Sequence, residues 1–152
     1  MKINPWYITG LIEGEGCFSI SFTLRKKLNL GIETRPSFSI SLNYRDLPLI
    51  KEVHAYFQCG AVRYSRSDRT YKYEVRSIGD LMNSIIPHFM QYPLIGSKAN
   101  DFKRFVAICK NIHANLHRNK KNLVEIINEA YQMNPSGKRK HEKVDLLKVL
   151  GE

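Results

Sequence analysis

The residues best suited to chemistry are two carboxylates at the end of a glycine-rich segment, residues 8–16. Gly10 and Gly14 are four residues apart, so in a helix they lie on one side, where missing Cβ atoms let a second backbone approach closely. Glu13 and Glu15 then fall at the helix C-terminus, the end that disfavours anions. Carboxylates beside free carbonyl groups call for a compensating cation, so the pattern predicts a metal site. The alternative is an accidental glycine-rich turn with exposed acids.

The charge balance points to a polyanionic partner. The chain of 152 residues carries 24 Lys and Arg against 14 Asp and Glu, a net charge of +10. The excess is spread along the chain, because residues 1–97 hold 12 basic and 8 acidic residues and residues 98–152 hold 12 and 6. Such a surplus attracts nucleic acid, and its spread favours an extended binding surface over a basic tail. The alternative is a basic surface that serves solubility only.

Composition also excludes several classes of protein. Hydrophobic residues make up 43% and charged residues 25%, which are globular proportions. No apolar run approaches the roughly 20 residues of a membrane-spanning helix. Cys17, Cys59 and Cys109 have no CxxC spacing, so neither a disulfide framework nor a cysteine zinc site is expected. We expect a soluble, intracellular protein, and the abundant Ile, Asn and Lys are compatible with an AT-rich organellar genome, of a chloroplast or a mitochondrion.

Periodicity predicts secondary structure in the order α-ββ-α-ββ-α, followed by further helices. Asn4 is a candidate N-cap of the first helix, and Pro5 suits its first position. Asp46 is the candidate N-cap of the second helix. The expected elements are a helix over 5–13, strands over 18–24 and 37–43 joined by a polar connection at 26–36, a helix over 46–57, strands over 61–66 and 71–76, and helices near 78–90, 98–113, 119–132 and 142–150.

The two predicted hairpins form an antiparallel sheet with one apolar and one polar face. The helices after each hairpin can cover the apolar face. On the polar face, hydroxyl, amide and charged side chains can read base edges in a DNA groove while Lys and Arg bind phosphates. The alternative is an ordinary solvated sheet face. The candidate DNA-contacting residues are Ser19, Ser21, Thr23, Arg25, Ser37, Ser39, Ser41, Asn43, Arg45, Arg63, Arg66, Arg69, Lys72, Glu74 and Arg76.

The glycine-rich segment resembles the signature of the LAGLIDADG homing endonucleases. It matches at Gly10, Leu11, Ile12 and Gly16, with glutamates in place of the two aspartates. The alternating strands and three further stretches also fall where this family would have them: the run 45–50, Tyr92-Pro93-Leu94, and Lys98 ahead of Asp101-Phe102. The resemblance covers roughly residues 5–110. It implies an α+β, αββαββα fold in a single domain over 1–152, with a four-stranded DNA-binding sheet and extra C-terminal helices over about 111–152.

The resemblance also implies roles for single residues. Glu15, at the last acid of the signature, would bind Mg²⁺ together with the Gly14 carbonyl. Glu13 would support the helix end behind that ion, and Lys98 would lie near the scissile phosphate. The family's water-positioning residue aligns with Leu42, so Asn43 or Arg45 would have to serve instead.

One signature per chain implies a homodimer, with Gly10 and Gly14 at the helix–helix interface and one Glu15 from each copy. Its substrate would be a long, pseudo-palindromic duplex DNA site, and its biology the homing of an intron or intein. Two other functions remain open: the same fold could serve as an RNA-splicing maturase, or as a DNA-binding protein that does not cleave. A basic interaction domain unrelated to nucleic acid is the third alternative.

Overall fold

The computed structural model describes residues 2–134 and 137–152. It confirms the α+β class and the αββαββα order with further helices. The elements are α1 (Pro5–Glu15), β1 (Gly16–Leu24), β2 (Ile32–Asn43), a 3₁₀ turn (Tyr44–Asp46), α2 (Leu47–Phe57), β3 (Ala61–Ser65), β4 (Thr70–Val75), α3 (Ile78–Asp80), a π-helical segment (Leu81–Ile85), α4 (Ile86–Gln91), α5 (Lys98–His113), a 3₁₀ turn (Leu116–Arg118), α6 (Lys120–Ala130) and α7 (Lys143–Val149).

Within the described residues, the four strands form one antiparallel sheet in the order β1-β2-β4-β3. The central strand β2 pairs with β1 over the whole length of β1, from Gly16 opposite Ile40 to Leu24 opposite Ile32. Strands β2 and β4 pair from Phe38 to Asn43. Because the period of side chains is two, this register places all the predicted polar positions of the strands on one face.

The apolar face of the sheet is held to α4 and α5 by aromatic side chains. Phe18 of β1 contacts four other rings, those of Phe38, Phe89, Phe102 and Phe105, with ring centroids 5.2 to 5.3 Å away. All five side chains are buried. Each buried phenylalanine contributes about 1.5–3 kcal/mol relative to an exposed one, so this cluster fixes the sheet against the helices.

Strand β2 starts earlier than the sequence suggested. It begins at Ile32, and Pro36 lies within it opposite Ile20, so the expectation of a connection over 26–36 was wrong. A proline has no N–H for a ladder, and it is tolerated where one edge of the strand is unpaired. Pairing of β2 with β4 begins only at Phe38, which leaves that edge open at Pro36.

Helix α1 extends to Glu15, two residues further than expected. The Asn4 side chain accepts a hydrogen bond from the Trp6 N–H at 2.8 Å, which confirms the N-cap. At the other end Gly16 is extended and begins β1 directly. A Cβ on Gly16 would lie 2.5 Å from Cγ2 of Ile12, so only glycine fits this tight junction. The junction delivers Glu15 to the point where helix and sheet meet.

Three smaller expectations are also corrected. The Asp46 side chain makes no cap hydrogen bond, and the 3₁₀ turn before α2 is instead capped by Asn43, whose Oδ1 accepts from the Arg45 N–H at 3.0 Å. The alternation of residues 18–24 predicts that Leu24 lies on the buried face with Phe18, Ile20 and Phe22, but Leu24 ends β1 and is 47% exposed. Strand β3 ends at Ser65, one residue earlier than expected, so Arg66 joins Arg69 in the turn of the second hairpin.

The C-terminal segment packs on the outer edge of β1. The Arg139 side chain donates to the carbonyl oxygens of Ile20, at 2.7 Å, and of Ala130. The Asn134 amide donates to the carbonyl oxygen of Phe18 at 2.8 Å. These side chains satisfy carbonyl groups on an edge that would otherwise be open to another strand. None of the helices in the described ranges is both long and apolar enough to cross a membrane.

Candidate functional site

Glu15 and Gly14 form an exposed oxygen-rich end of α1. Both are solvent-exposed, and Glu15 makes no ion pair with any described residue. None of the described atoms lies within 4 Å of a Cβ built on Gly14, so the helix surface there is open. The helix end thus presents a carboxylate and a backbone carbonyl to an incoming ligand.

Glu13 is engaged with the loop before α5. Its Oε2 accepts hydrogen bonds from the backbone N–H groups of Ile95, at 2.8 Å, and Gly96, at 3.0 Å. A Cβ on Gly96 would come within 3.1 Å of the other carboxylate oxygen, so glycine allows the close approach. This carboxylate is therefore used to hold the loop, in keeping with the supporting role that the resemblance implies.

Lys98 also binds the C-terminal end of α1. Its Nζ donates to the carbonyl oxygens of Ile12 at 2.8 Å, Glu13 at 3.2 Å and Gly16 at 2.6 Å. A cation at a helix C-terminus is stabilised by the helix dipole and satisfies carbonyl groups that lack an intrahelical partner. We call the paired contacts of Glu13 and Lys98 the Glu13–Lys98 clasp. It ties the end of α1 to the start of α5.

The donor atoms fit a hard cation with an incomplete protein shell. No cluster of three or more His, Cys, Asp or Glu side chains that could hold a metal occurs in residues 2–134 and 137–152. Glu15 and the Gly14 carbonyl are oxygen donors, and Mg²⁺ is usually bound by one or two carboxylates while it retains several waters. The described residues of this chain therefore offer part of a divalent-cation site rather than a closed cage.

Asn43 ends β2 and lies at the same end of the sheet as the α1–β1 junction, where Glu15 is located. Gly16 is opposite Ile40, so the last three residues of β2 run past the start of β1. Leu42 is buried there, whereas Asn43 is exposed. The Asn43 Oδ1 accepts from the backbone N–H and the Nε of Arg45, at 3.0 and 3.2 Å. The amide nitrogen of Asn43 donates to none of the described residues. Asn43 can therefore bind water, whereas the Leu42 side chain is apolar and buried.

The register brings the predicted DNA-contacting residues of the strands together. Ser39 lies opposite Glu74, while Ser41 and Arg63 both lie opposite Lys72. Arg45, Arg66 and Arg69 lie outside the strands and are exposed. The residues on the polar face itself are Ser19, Ser21, Thr23, Ser37, Ser39, Ser41, Asn43, Arg63, Lys72 and Glu74, with Arg25 and Arg76 just beyond the strand ends.

Ser37 differs from the other hydroxyls of the face because it is buried. Its Oγ donates to Oε2 of Glu74 at 2.7 Å. Burial opposes ionisation of Glu74, but this hydrogen bond and the charges of Lys72 and Arg76 hold the pKa of the carboxyl below its usual value. Ser37 therefore supports Glu74 instead of facing a ligand.

The comparisons with known proteins agree with this geometry. A family model described as LAGLIDADG endonuclease matches residues 8–109. This range includes most of α1, the whole sheet and the Glu13–Lys98 clasp. The chain belongs to the LAGLIDADG endonuclease family. This confirms the resemblance drawn from residues 8–16.

Several curated relatives of this LAGLIDADG chain are named as endonucleases. It is 34% identical over 135 residues to a probable intron-encoded endonuclease 3 of Neurospora crassa, covering 88% of this chain and 25% of the relative. It is 25% identical over 150 residues to homing endonuclease I-ApeII of Aeropyrum pernix, covering 95% and 88%. The chain spans between 25% and 40% of the length of the first four curated relatives it matches.

Solved structures of homing endonucleases share the LAGLIDADG fold of this chain. The crystal structure of I-TnaI superposes with a TM-score of 0.86 at 27% identity, covering 99% of this chain and 98% of that one. I-SmaMI bound to cleaved DNA superposes at 0.84 and 26% identity, covering 87% of this chain and 44% of the other.

Sequence reasoning missed one group on the LAGLIDADG sheet. Glu33 falls in what was expected to be a polar connection, yet it lies in β2 opposite Thr23. Hydrogen bonds from Arg25 and Arg35 hold the pKa of its carboxyl below the usual value. The available signal was that the β-branched residues Ile32 and Thr34 alternate with the charged Glu33 and Arg35, and Pro36 obscured it.

Proposed function

We propose that this chain is the DNA-cleaving unit of a homing endonuclease, which hydrolyses a phosphodiester bond in each strand of a specific duplex. The observation that carries the proposal is the exposed Glu15 carboxylate at the end of α1, adjoining a sheet whose polar face is rich in cations. Family members that this chain resembles are named as endonucleases, and one solved relative is described as bound to cleaved DNA.

Cleavage of both strands needs two such carboxylates, and each chain supplies one Glu15. A homodimer brings in the second. The exposed side of α1 suits a symmetric contact, because Trp6 is 56% and Tyr7 is 52% exposed, and no described atom lies within 4 Å of a Cβ on Gly10 or Gly14. Packing of the two α1 helices across a two-fold axis would bury these aromatic rings and place the two Glu15 side chains at one seam.

The cofactor we propose is Mg²⁺, held by Glu15 and the Gly14 carbonyl of each copy. LAGLIDADG endonucleases are metal-dependent nucleases, and the donor set here is purely oxygen. The ion would lower the pKa of a bound water and stabilise the charge that develops on the leaving 3′-oxygen. Asn43 orients the attacking water through its amide, and Lys98 keeps a positive charge at the helix end while it fixes the backbone on either side of Glu15, through the Glu13 and Gly16 carbonyl groups.

The substrate we propose is a long, pseudo-palindromic DNA site. Each sheet would lie in a major groove, where the Ser, Thr and Asn side chains contact base edges and the surrounding cations contact phosphates. Several curated relatives are intron-encoded, and one from Podospora anserina is described as a protein in ND4 intron 1. We infer intron homing as the biology and an organelle, mitochondrion or chloroplast, as the place where it occurs.

In the first step of the experiment, duplexes that the wild-type protein binds are selected from a randomised DNA library, because the fold does not specify the base sequence of the target. The selected duplex is then incubated with Mg²⁺ and with the wild-type protein, Glu15→Gln, or the control Glu52→Gln on α2. We expect Glu15→Gln to bind the duplex with unchanged affinity and to lose cleavage, while Glu52→Gln cuts normally.

Three other outcomes would contradict the proposed function or its catalytic residue. Undiminished cleavage by Glu15→Gln would contradict the catalytic site. A wild-type protein that binds the selected duplex but never cuts it would identify a non-cleaving DNA-binding protein. Failure to enrich any duplex would exclude sequence-specific DNA recognition altogether.

A further inference from the structure

Two clusters on the DNA-facing side of the sheet have the same composition, one carboxylate between two cations. In the first, Oε2 of Glu33 lies 3.0 Å from Nη1 of Arg25 and 3.1 Å from Nη2 of Arg35. We call it the Glu33 cluster.

In the second, which we call the Glu74 cluster, Oε2 of Glu74 lies 3.4 Å from Nζ of Lys72, and Oε1 lies 3.1 Å from Nε of Arg76. The Glu74 side chain is only 12% exposed and also accepts from Ser37. The four cations of the two clusters remain about half exposed, so their outer faces are available to a ligand.

A carboxylate on a surface that binds DNA has an energetic cost. It repels phosphate and reduces the positive field that produces non-specific affinity. In return it restricts long side chains that otherwise lose about 2 kcal/mol of rotamer entropy when they are fixed. A held guanidinium is ready to make a bidentate contact with a base edge, whereas a free one reaches the nearest phosphate.

We propose that Glu33 and Glu74 are specificity-determining positioning residues, which aim their paired cations at base edges and suppress binding to unrelated DNA. This inference rests on the DNA-cleaving function proposed above. The acids and the cations beside them have opposite effects on the affinity for unrelated DNA. Removing an acid strengthens non-specific binding and weakens the discrimination between target and unrelated DNA.

The spacing of the clusters makes the proposal position-specific. Glu74 lies opposite Ser39 of β2, six residues along that strand from Glu33. Six residues of a strand span about 20 Å, which corresponds to about six base pairs of duplex at 3.4 Å each. Each acid therefore governs its own short stretch of the half-site, and the two stretches lie about six base pairs apart.

The experiment compares Glu33→Gln and Glu74→Gln with Glu52→Gln, a control that changes net charge equally but lies on α2, behind the sheet. Kd is measured at fixed salt for the selected duplex and for a scrambled duplex. We expect the two sheet variants to bind the scrambled duplex more tightly and their specificity ratio to fall about tenfold, as for loss of one bidentate base contact. The control should leave the ratio unchanged.

Repeating the library selection locates the effect. Glu33→Gln and Glu74→Gln should each lose base preference at separate positions about six base pairs apart. Arg76→Gln, which removes a cation and keeps the acid, should lose preference at the same positions as Glu74→Gln. Melting curves confirm that each variant is folded.

Failure of the positioning role and failure of the proposed DNA-cleaving function give different results. An unchanged specificity ratio in both sheet variants, or an equal fall in Glu52→Gln, overturns the positioning role while DNA recognition stands. If the wild-type protein shows no preference for any selected duplex, the proposed function fails and this inference with it.

Discussion

The ammonium nitrogen of Lys98 lies 2.6 Å from the carbonyl oxygen of Gly16, which joins the first residue of α5 to the first residue of β1. The same nitrogen binds two carbonyl groups of the last turn of α1. Lys98 therefore holds the junction from which Glu15 projects, and any effect on a phosphate comes from a cation that is already anchored to the backbone.

Replacing Lys98 with methionine should therefore lower the stability of the protein. Hydrogen bonds to a charged group contribute about 1.5–3 kcal/mol, and we expect Lys98→Met to lower the free energy of unfolding by that amount. Urea unfolding measures it, with Lys103→Met, an exposed lysine of the same helix, as the control. Equal stability of Lys98→Met and wild type would show that the clasp does not hold the junction.

Gly16, at the junction of α1 and β1, and Gly10, within α1, should respond oppositely to alanine. Gly16→Ala brings a Cβ to 2.5 Å from Ile12 Cγ2 and 3.0 Å from Ile12 Cα, so we expect a loss of about 1–3 kcal/mol in unfolding free energy. At Gly10 a Cβ meets no described atom within 4 Å, and alanine favours the helix by up to about 1 kcal/mol.

Gly10→Ala should therefore leave the monomer intact and weaken the dimer, with a dimer Kd raised at least about tenfold, or about 1.4 kcal/mol. Sedimentation equilibrium of wild type and Gly10→Ala measures this. A Gly10→Ala protein that dimerises as tightly as wild type would place the interface elsewhere.

A buried histidine links α1 to α4 and should make stability depend on pH. The Thr9 hydroxyl donates to the Tyr92 carbonyl at 2.7 Å, so it must accept from Nε2 of His88, 3.0 Å away. Nδ1 then accepts from the Tyr56 hydroxyl at 2.8 Å. This network needs a neutral ring, and burial lowers the pKa of His88 to about 4.

Between the ordinary histidine pKa of about 6.5 and the folded value, the unfolded chain binds more protons than the folded one. The contribution is complete above pH 6.5 and is lost as the pH falls toward 4. We expect the free energy of unfolding to drop by about 2 kcal/mol from this residue between pH 7 and pH 4.5. Urea unfolding of wild type and His88→Gln at both pH values tests it; the same pH dependence in both proteins would contradict the assignment.

The sequence allowed prediction of the features that depend on local pattern. Strict alternation located Phe18 and Ser19 on opposite faces, and the motif located Glu13 and Glu15 at a helix end. What could not be predicted depends on contacts distant in sequence. The carbonyl partners of Lys98 lie 82 to 86 residues away, and the order β1-β2-β4-β3 places together two strands that are not consecutive.

The main error of the sequence-based prediction concerns the start of β2, which contains Glu33 and Pro36. Pro36 is usually a strand breaker, so residues 26–36 were assigned to a polar connection and Glu33 was not placed on the sheet. Its position became evident only from the pairing with β1, because an open neighbouring edge makes a proline acceptable in a strand.

Cleavage of both DNA strands requires one Glu15 per strand, supplied by two copies of the chain. The most direct measurement uses mixed dimers of wild type and Glu15→Gln, isolated by two different affinity tags, on a plasmid with one selected site. Mixed dimers should nick the plasmid to open circles, whereas wild type makes linear DNA and Glu15→Gln leaves it supercoiled. Linear product from the mixed dimers would show that one Glu15 is enough to cut both strands. The absence of any doubly tagged species would show that the chain does not form a dimer. Either result would contradict the proposed role of two Glu15 residues.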